Sequence, residues 1–464
     1  MSLNSAMNAA LSGLVVSSRL AGVISSNVAN AMTPGYGRRE AELTTGIAPG
    51  VQLVAILRDV DTALLTDRRI AGAASGGAET RSAFLSRFET ALGGIDPVAS
   101  LSARVAALDS ALREAAGRPD AEVRLQAAIT AAGRLAGQLN TASAAVQQAR
   151  GEADAGIASD VVRLNDALAR VAGLNERIRL ATASGAETAA LVDLRQSQID
   201  GISDIVPIRE IARENGEVAL YTTGGAALVD GRASVFGFEP RRIVTANMTR
   251  EDGRLSGLTL NGQPILAGET GLIGGGSLAA RFTVRDTLGP AAQTELDTLA
   301  RDLVERFSAT GIDSTIAGGP GLFTDAGGAF DPAAEIGLAG RIALNGALEN
   351  APWRLRDGLG ATSPGPVGEA ALLNRLTAAL TGGIRSFAGH VSDMVSDIAS
   401  GRLAAEEEMG FASARETALQ HQEMARGVDT DQEMQKLLLV EQSYAANARV
   451  MQTIDGLLAR LMEI

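Results

Sequence analysis

The sequence predicts an α+β protein built mainly of long α-helices, with a terminal coiled-coil pair, a helical bundle and an inserted β-rich domain. Three observations carry that expectation. Apolar residues recur at alternating three- and four-residue steps over long stretches, the spacing of helices that pack along one stripe. Apolar residues make up 46% of the chain and aromatics 3%, so the cores must rest on aliphatic side chains, and Ala- and Leu-rich chains favour helix. Two Asn-Gly dipeptides in the middle of the chain sit between alternating apolar runs, which is a strong hairpin signal.

At 464 residues the chain is expected to hold two to four domains. Near the N-terminus Leu3, Met7, Ala10, Leu14, Ser17, Ala21, Ile24, Val28 and Ala31 alternate four and three, with small residues in half the seam. Asn27 and Asn30 are poor helix formers. Pro34 disfavours helix at Thr33, and Pro34-Gly35 suits a type II turn, so this helix should stop near Asn30. Residues 36 to 66 read as short extended pieces, with Val51 to Leu57 the best strand. Helical spacing returns from Thr62 to Leu92 and from Ser100 to Arg150, with a break expected at Gly117-Arg118-Pro119. Ile157, Val161, Leu164, Leu168, Val171, Asn175 and Ile178 form another heptad series, closed by Ser184-Gly185. A shorter helix from Ala189 to Ile202 follows, and the region reads as long antiparallel helices.

Composition then shifts. The alternating runs around Asn215-Gly216 and Asn261-Gly262 make residues 203 to 285 β-rich. Helix returns at Pro290 to Thr310, where Leu296, Leu299, Leu303 and Phe307 share a face and Gly311 is the expected C-cap. Residues 312 to 365 are rich in Gly and Pro and read as strands and loops. From Pro366 to Arg426 the pattern is helical, with breaks near Gly382-Gly383 and Gly401. A last helix begins near Asp431. In it Leu437, Val440, Tyr444, Asn447, Met451, Ile454, Leu458 and Leu461 alternate three and four without a slip.

The order helix, β-rich middle, helix implies nested discontinuous domains with both chain ends at one pole. The expected division is 1–45 with 427–464 as a terminal pair, 46–202 with 286–311 and 366–426 as a helical domain, and 203–285 with 312–365 as a β-rich domain. A pair of helices covers one seam and leaves Leu11, Val15, Leu438 and Leu457 open, so neighbouring subunits are expected to cover them. Asn447, the polar member of the C-terminal seam, is expected to set register at some cost in stability.

Charge and composition exclude several functions. The net charge of −13 argues against nucleic acid and anionic membrane surfaces. The absence of cysteine removes disulfides, thiolate nucleophiles and thiolate metal sites. Met1 to Val16 lacks the basic and apolar blocks of a standard signal peptide, and no unbroken apolar run approaches the ~20 residues of a spanning helix. The chain is therefore expected to be cytosolic, or exported without a cleaved signal. Gly274-Gly275-Gly276-Ser277 lacks the Gly-Lys-Ser/Thr end of a phosphate loop and reads as a tight loop. His390 and His421 lack the partner spacing of a zinc motif, and Glu406-Glu407-Glu408 reads as a solvated face, because consecutive residues cannot converge on one ion. No catalytic residue, metal or cofactor is expected.

The termini carry a family likeness. The stretch Met7 to Glu40, with its Asn-rich segment (Asn27, Asn30) and Pro34-Gly35-Tyr36 turn, resembles the N-terminal signature of bacterial flagellar rod, hook and hook-associated proteins. Gly427 to Ile464, with Glu433-Met434 and Gln442 to Arg449, resembles their C-terminal signature. Within that group the middle is similar to the hook-associated protein 1 family, at Leu164 to Ile178, Leu191 to Ile208, Glu217 to Arg232 and Ile273 to Asp286. Asp429-Thr430 departs from the family's Asn and Leu. The β-rich middle is short, so the family's outermost domain is expected to be missing or reduced.

The resemblance implies a junction protein, a short helical layer of subunits between the hook and the next hook-associated protein. It implies export through the flagellar secretion channel, an export chaperone bound by the C-terminal helix, and an extracellular place at the hook–filament junction. The assembly residues it implies are Leu3, Met7, Leu11, Leu14, Ile24 and Val28 in the first helix, the turn Asn27, Asn30, Pro34, Gly35 and Tyr36, and the C-terminal seam. The terminal pair would form an inner tube and the β-rich part would face outward. Two alternatives stay open from the residues: another flagellar axial protein (hook, rod or flagellin-like), or a secreted binding or hydrolytic protein on a helical stalk.

Overall fold

Helix dominates and the sheets are small, so the chain is of the α+β class. The computed structural model describes residues 3–33, 35–45, 50–94 and 100–462. Helix α1 (Leu3–Asn30) stops where the asparagines predict. The antiparallel ribbon of β1 (Arg38–Thr45) and β2 (Val51–Asp59) follows, with one register shift between Glu42 and Leu43. Asp61 Oδ1 accepts from the amides of Ala63 and Leu64, both at 3.0 Å, and caps α2 (Thr62–Ala91). Ser100 caps α3 (Leu101–Gly117) in the same way. Past the expected break at Pro119, α4 (Glu122–Ala183) runs 62 residues through the end of the Ser100–Arg150 stretch and the heptad series from Ile157 to Ile178. Then α5 (Ala189–Asp200) completes the first helical region.

The hairpins fall where the Asn-Gly dipeptides predict. Strands β3 (Ile208–Ala212), β4 (Val218–Thr222), β5 (Ala227–Asp230) and β6 (Arg232–Ala233) form a four-stranded sheet in that order. Asn215 and Gly216 turn with φ of 56° and 78°, left-handed backbone that asparagine and glycine tolerate best. Strands β7 (Phe236–Gly237), β8 (Leu258–Leu260) and β9 (Gln263–Ile265) form a second sheet, turning at Asn261-Gly262 with φ of 52° and 79°.

Residues 203–285 are nonetheless less β-rich than expected. The segment between β7 and β8 carries no ladder, and buried side chains hold its backbone instead. Arg150 donates to the carbonyls of Thr245 and Met248, and Asp154 accepts from the Arg241 amide at 2.6 Å. The segment then closes in α6 (Ser277–Thr283), which a π-turn at Val284–Leu288 joins to α7 (Gly289–Ser308).

Strands β10 (Phe323–Asp325) and β11 (Ile342–Leu344) pair, followed by α8 (Arg354–Asp357), α9 (Ala371–Thr381), α10 (Phe387–Ala425) and α11 (Thr430–Met462). Two expectations are corrected here. Gly311, at φ 89°, lies beyond the end of α7, which Ala309 ends by turning extended. Gly401 does not break α10: a glycine costs a helix about 1 kcal/mol against alanine, little across 39 residues of continuous helix.

Packing groups the chain into two units, residues 1–75, 162–236 and 412–464, and residues 76–161 and 237–411. This grouping runs differently from the nested division read from the sequence, because β3–β6 belong to the first unit and β8–β11 to the second. Two asparagines of α4, one of them the heptad member Asn175, hold the first unit's strands. Asn175 Nδ2 donates to the Val218 carbonyl at 2.7 Å, and Asn165 exchanges two bonds with the backbone of Phe236. The second unit has a closed aliphatic core, in which Leu108, Leu112, Leu135, Leu296, Leu303 and Phe307 expose nothing.

Candidate functional site

The described N- and C-terminal helices meet in the first unit. Asp429 starts α11: its carboxylate accepts from the amides of Asp431 and Gln432, at 3.0 and 3.1 Å. An aspartate serves that cap as an asparagine would, so the departure from the family pattern is conservative here. One turn on, Glu433 is buried, with 2% of its side chain exposed, and faces α1.

Asn27 of α1 is completely buried and uses its full bonding capacity. Its Nδ2 donates to Glu433 Oε2 and to the Arg39 carbonyl, each at 2.9 Å. Its Oδ1 accepts from the Tyr36 hydroxyl and the Arg39 amide, each at 2.9 Å. One side chain therefore joins the first helix, the turn, the ribbon and the last helix. A buried polar group that is fully bonded fixes one arrangement, because any alternative leaves donors or acceptors unpaired.

Glu433 takes two cations besides, Arg38 Nε at 3.3 Å and Lys436 Nζ at 3.2 Å, the latter from the chain's single lysine. Burial alone pushes its carboxyl pKa up. The hydrogen bonds from Asn27 and Lys436 and the charges of Lys436 and Arg38 outweigh burial and hold it below the usual carboxylate value of 4.5. A second acid completes the clasp from α5. Asp193 accepts from Arg58 Nε at 2.9 Å, Arg39 Nη2 at 3.2 Å and the Gly37 amide at 3.3 Å. Arg58 also donates to the Gly35 carbonyl at 2.8 Å, and the Arg39 guanidinium lies 5.2 Å from the centre of the Tyr36 ring.

Along the pair, the buried face of α1 is Ala10, Gly13, Val16, Ser17, Val23, Ile24 and Asn27. Of the expected α1 residues, Ile24 is buried, Met7, Leu14 and Val28 are half-buried, and Leu3 and Leu11 are exposed. The seam is therefore turned toward positions one residue earlier than the expected Leu14 and Val28. The reason is backbone approach: a Cβ on Gly13 would lie 2.5 Å from Asn447 Nδ2. The glycine lets the helices close, and Asn447 occupies the space that opens. In α11, Leu437, Val440, Asn447 and Met451 are half-buried, Tyr444 and Leu458 are exposed, and Ile454 is buried. Pro34 and the side chain of Leu461 lie outside the described residues. Asn30 donates to the Ser26 carbonyl at 2.9 Å and stays near the turn.

Sequence reasoning missed Gly13, Val16, Arg39, Arg58 and Asp193 as members of this site. A glycine inside a heptad helix is a signal for close approach and could have found Gly13. Nothing local marks Asp193, whose partners are 135 to 156 residues away. By length and composition alone α1 could cross a membrane, with Arg19 its one charged residue. In this fold its buried face packs on α11 and the ribbon.

The other candidates for chemistry sit apart from the clasp. His390 Nδ1 lies 2.8 Å from Asp302, and His421 is exposed. Gly274 is a packing position where a Cβ would strike the Glu269 carbonyl, and Gly275 and Gly276 turn with φ of 85° and 106°. Glu406 and Glu408 pair with Arg402 and Arg81. Among the described residues no group of three acidic or histidine side chains could hold a metal ion.

Comparison with known proteins agrees with the terminal signatures. Residues 425–464 match the model of the C-terminal region of flagellar basal body rod FlgEFG proteins. A flagellar hook-associated protein 1 of Salmonella typhimurium is 26% identical over 240 residues, 49% of this chain and 43% of that protein. This chain thus spans less than half of that relative's length. The Bacillus subtilis protein of the same name is 23% identical over 94% of this chain and 93% of its own. The flagellar hook junction protein FlgK from Burkholderia pseudomallei superposes with a TM-score of 0.46 at 20% identity, over 56% of this chain and 46% of that one. Residues 85–323, more than half of the chain, match the flagellar hook-associated protein FlgK helical domain. The chain belongs to the family of flagellar hook-associated protein 1, FlgK.

Proposed function

We propose that the chain is a structural subunit of the bacterial flagellum, not an enzyme, which joins hook to filament in a short helical layer. The observation that carries this reading is the unfinished surface of the terminal pair. Its base is locked through Asn27 and Glu433, while Leu11, Val15, Leu438, Tyr444 and Leu457 remain 44 to 56% exposed. A pair held at its root and apolar on its outside is suited to cover by the same helices of neighbouring copies. In this reading the pair forms the inner tube and the assembly residues are those of the α1 and α11 stripes.

The partners are other copies of the chain, the hook protein and the next hook-associated protein. Before assembly α11 binds an export chaperone, and the chain leaves through the flagellar secretion channel to the hook–filament junction. Deleting Tyr444 to Ile464 tests the role. The shortened chain is expected to keep its second-unit core, with filaments failing to attach and filament subunits shed into the medium. Cells carrying that deletion with normal attached filaments would sink the reading.

A further inference from the structure

We propose that the groove between α4 and α5 is a lateral docking surface for α10 of a second copy of this chain, an inference that rests on the assembly role above. Arg163, Arg170 and Arg177 recur every seven residues and so line one side of α4, about 21 Å from first to last. Beneath them two adjoining hollows of 330 and 250 Å³ share Arg170 and Gln198. Their floor is apolar or bare, with Gly173, Leu174 and Leu194, the last 53% exposed.

Two of the three cations are poorly neutralised. Among the described residues Arg177 makes no ion pair and Arg170 reaches the neutral Gln198 at 3.4 Å, whereas Arg163 donates to the Gly201 carbonyl at 3.1 Å and lies 3.7 Å from Asp204. Asp166 is the acid in the lining. In a chain of net charge −13, an open cationic row over an apolar floor is complementary to an acidic amphipathic helix.

The chain carries such a helix face. Leu403, Glu407 and Phe411 recur every four residues on α10 and share one side. Leu403 is 56% and Phe411 74% exposed, so two large apolar side chains are offered to solvent. Glu407 between them is exposed and makes no ion pair among the described residues, while its neighbours Glu406 and Glu408 are already paired. Leucine and phenylalanine match the Leu174–Leu194 floor, and Glu407 matches Arg170 or Arg177. The two surfaces differ, so the contact is heterologous and repeats from copy to copy.

The chain has no cysteine, so pairs can be introduced cleanly. Leu194→Cys with Phe411→Cys in one chain, oxidised in isolated flagella, is expected to give a ladder of covalent dimers and larger species. Each single variant is expected to stay monomeric. A double variant that is present in the flagella yet stays monomeric overturns the proposal.

Charge reversal gives an independent test. Arg170→Glu with Arg177→Glu is expected to cut swimming and assembled copies about tenfold, with the melting temperature of the purified chain unchanged. Adding Glu407→Arg is expected to restore much of the loss. Normal swimming after the reversal, or loss without rescue as an acidic partner of another kind would give, overturns the proposal. Absence of the wild-type chain from isolated flagella would instead overturn the assembly role itself.

Discussion

In the second unit Leu108, Leu112 and Leu135 expose no surface; in the α1–α11 pair, Leu11, Val15, Leu438 and Leu457 are about half exposed. Both regions are long helices with heptad-like apolar spacing, and the difference lies in what completes each stripe. Helices α3, α4, α7 and α9 close on one another and finish their own core. Each leucine buried there contributes about 1.5–3 kcal/mol. The terminal pair is closed on one side, and its root is fixed by hydrogen bonds rather than apolar area. A closed core makes a region self-sufficient, and an open stripe on a polar clasp makes a region ready for neighbours.

The comparison can be broken at several points. The largest effect is expected in the closed core. Phe307→Ala removes a ring packed edge-to-face on Phe323 at 5.2 Å, and should cost about 3–5 kcal/mol in denaturant unfolding. A loss below about 1 kcal/mol would mean the core is not closed as described. Next, Gly13→Val puts a branched side chain where the Asn447 amide sits, more than a rotation of that amide can clear, and should loosen the pair by about 1–3 kcal/mol. Adding Asn447→Ala should recover part of it, as read by amide exchange along α11. Unchanged exchange in the single variant would show that the close approach does not hold the helices.

Glu433→Gln should raise exchange of the α11 amides by the equivalent of about 1–3 kcal/mol while leaving the second-unit core unaffected. Acid should imitate it. The folded carboxyl lies below 4.5, so its contribution is complete above that value and is lost as pH falls through the depressed folded value. Helicity of α11 followed from pH 6 to pH 2 should drop there in the wild type, and Glu433→Gln should remove that step. The smallest effect is expected for Leu438→Ala on the open side, about 0.5 kcal/mol or less in the isolated chain. A large loss in the monomer would contradict its exposure.

Much of this was legible in the sequence because the signals are local. Both Asn-Gly hairpins, the break before α4 at Pro119 and the end of α1 near Asn30 depend on residues within a few positions. The face of α1 was read less well. Heptad counting favoured Leu14 and Val28, whereas Gly13 and Asn27 take the contact, because close approach and hydrogen bonding outranked side-chain size. Glu433 was visible as a motif acid, but its partner Asn27 could not be inferred from spacing. Asp193 left no local trace. Gly401 was misread because a strong local signal yields to the helix on either side of it.

The clasp also sets an order of events. Asn27 and Glu433 are 406 residues apart, whereas the strands flanking Asn215-Gly216 meet almost at once. Closing so long a loop in a flexible chain costs about 5 kcal/mol of entropy, beyond a length-independent constant. That cost shrinks once the segments between have folded and drawn the ends together. The contact that fastens first helix to last is therefore expected to form late, after the hairpins and the closed core, leaving α11 free of α1 until then.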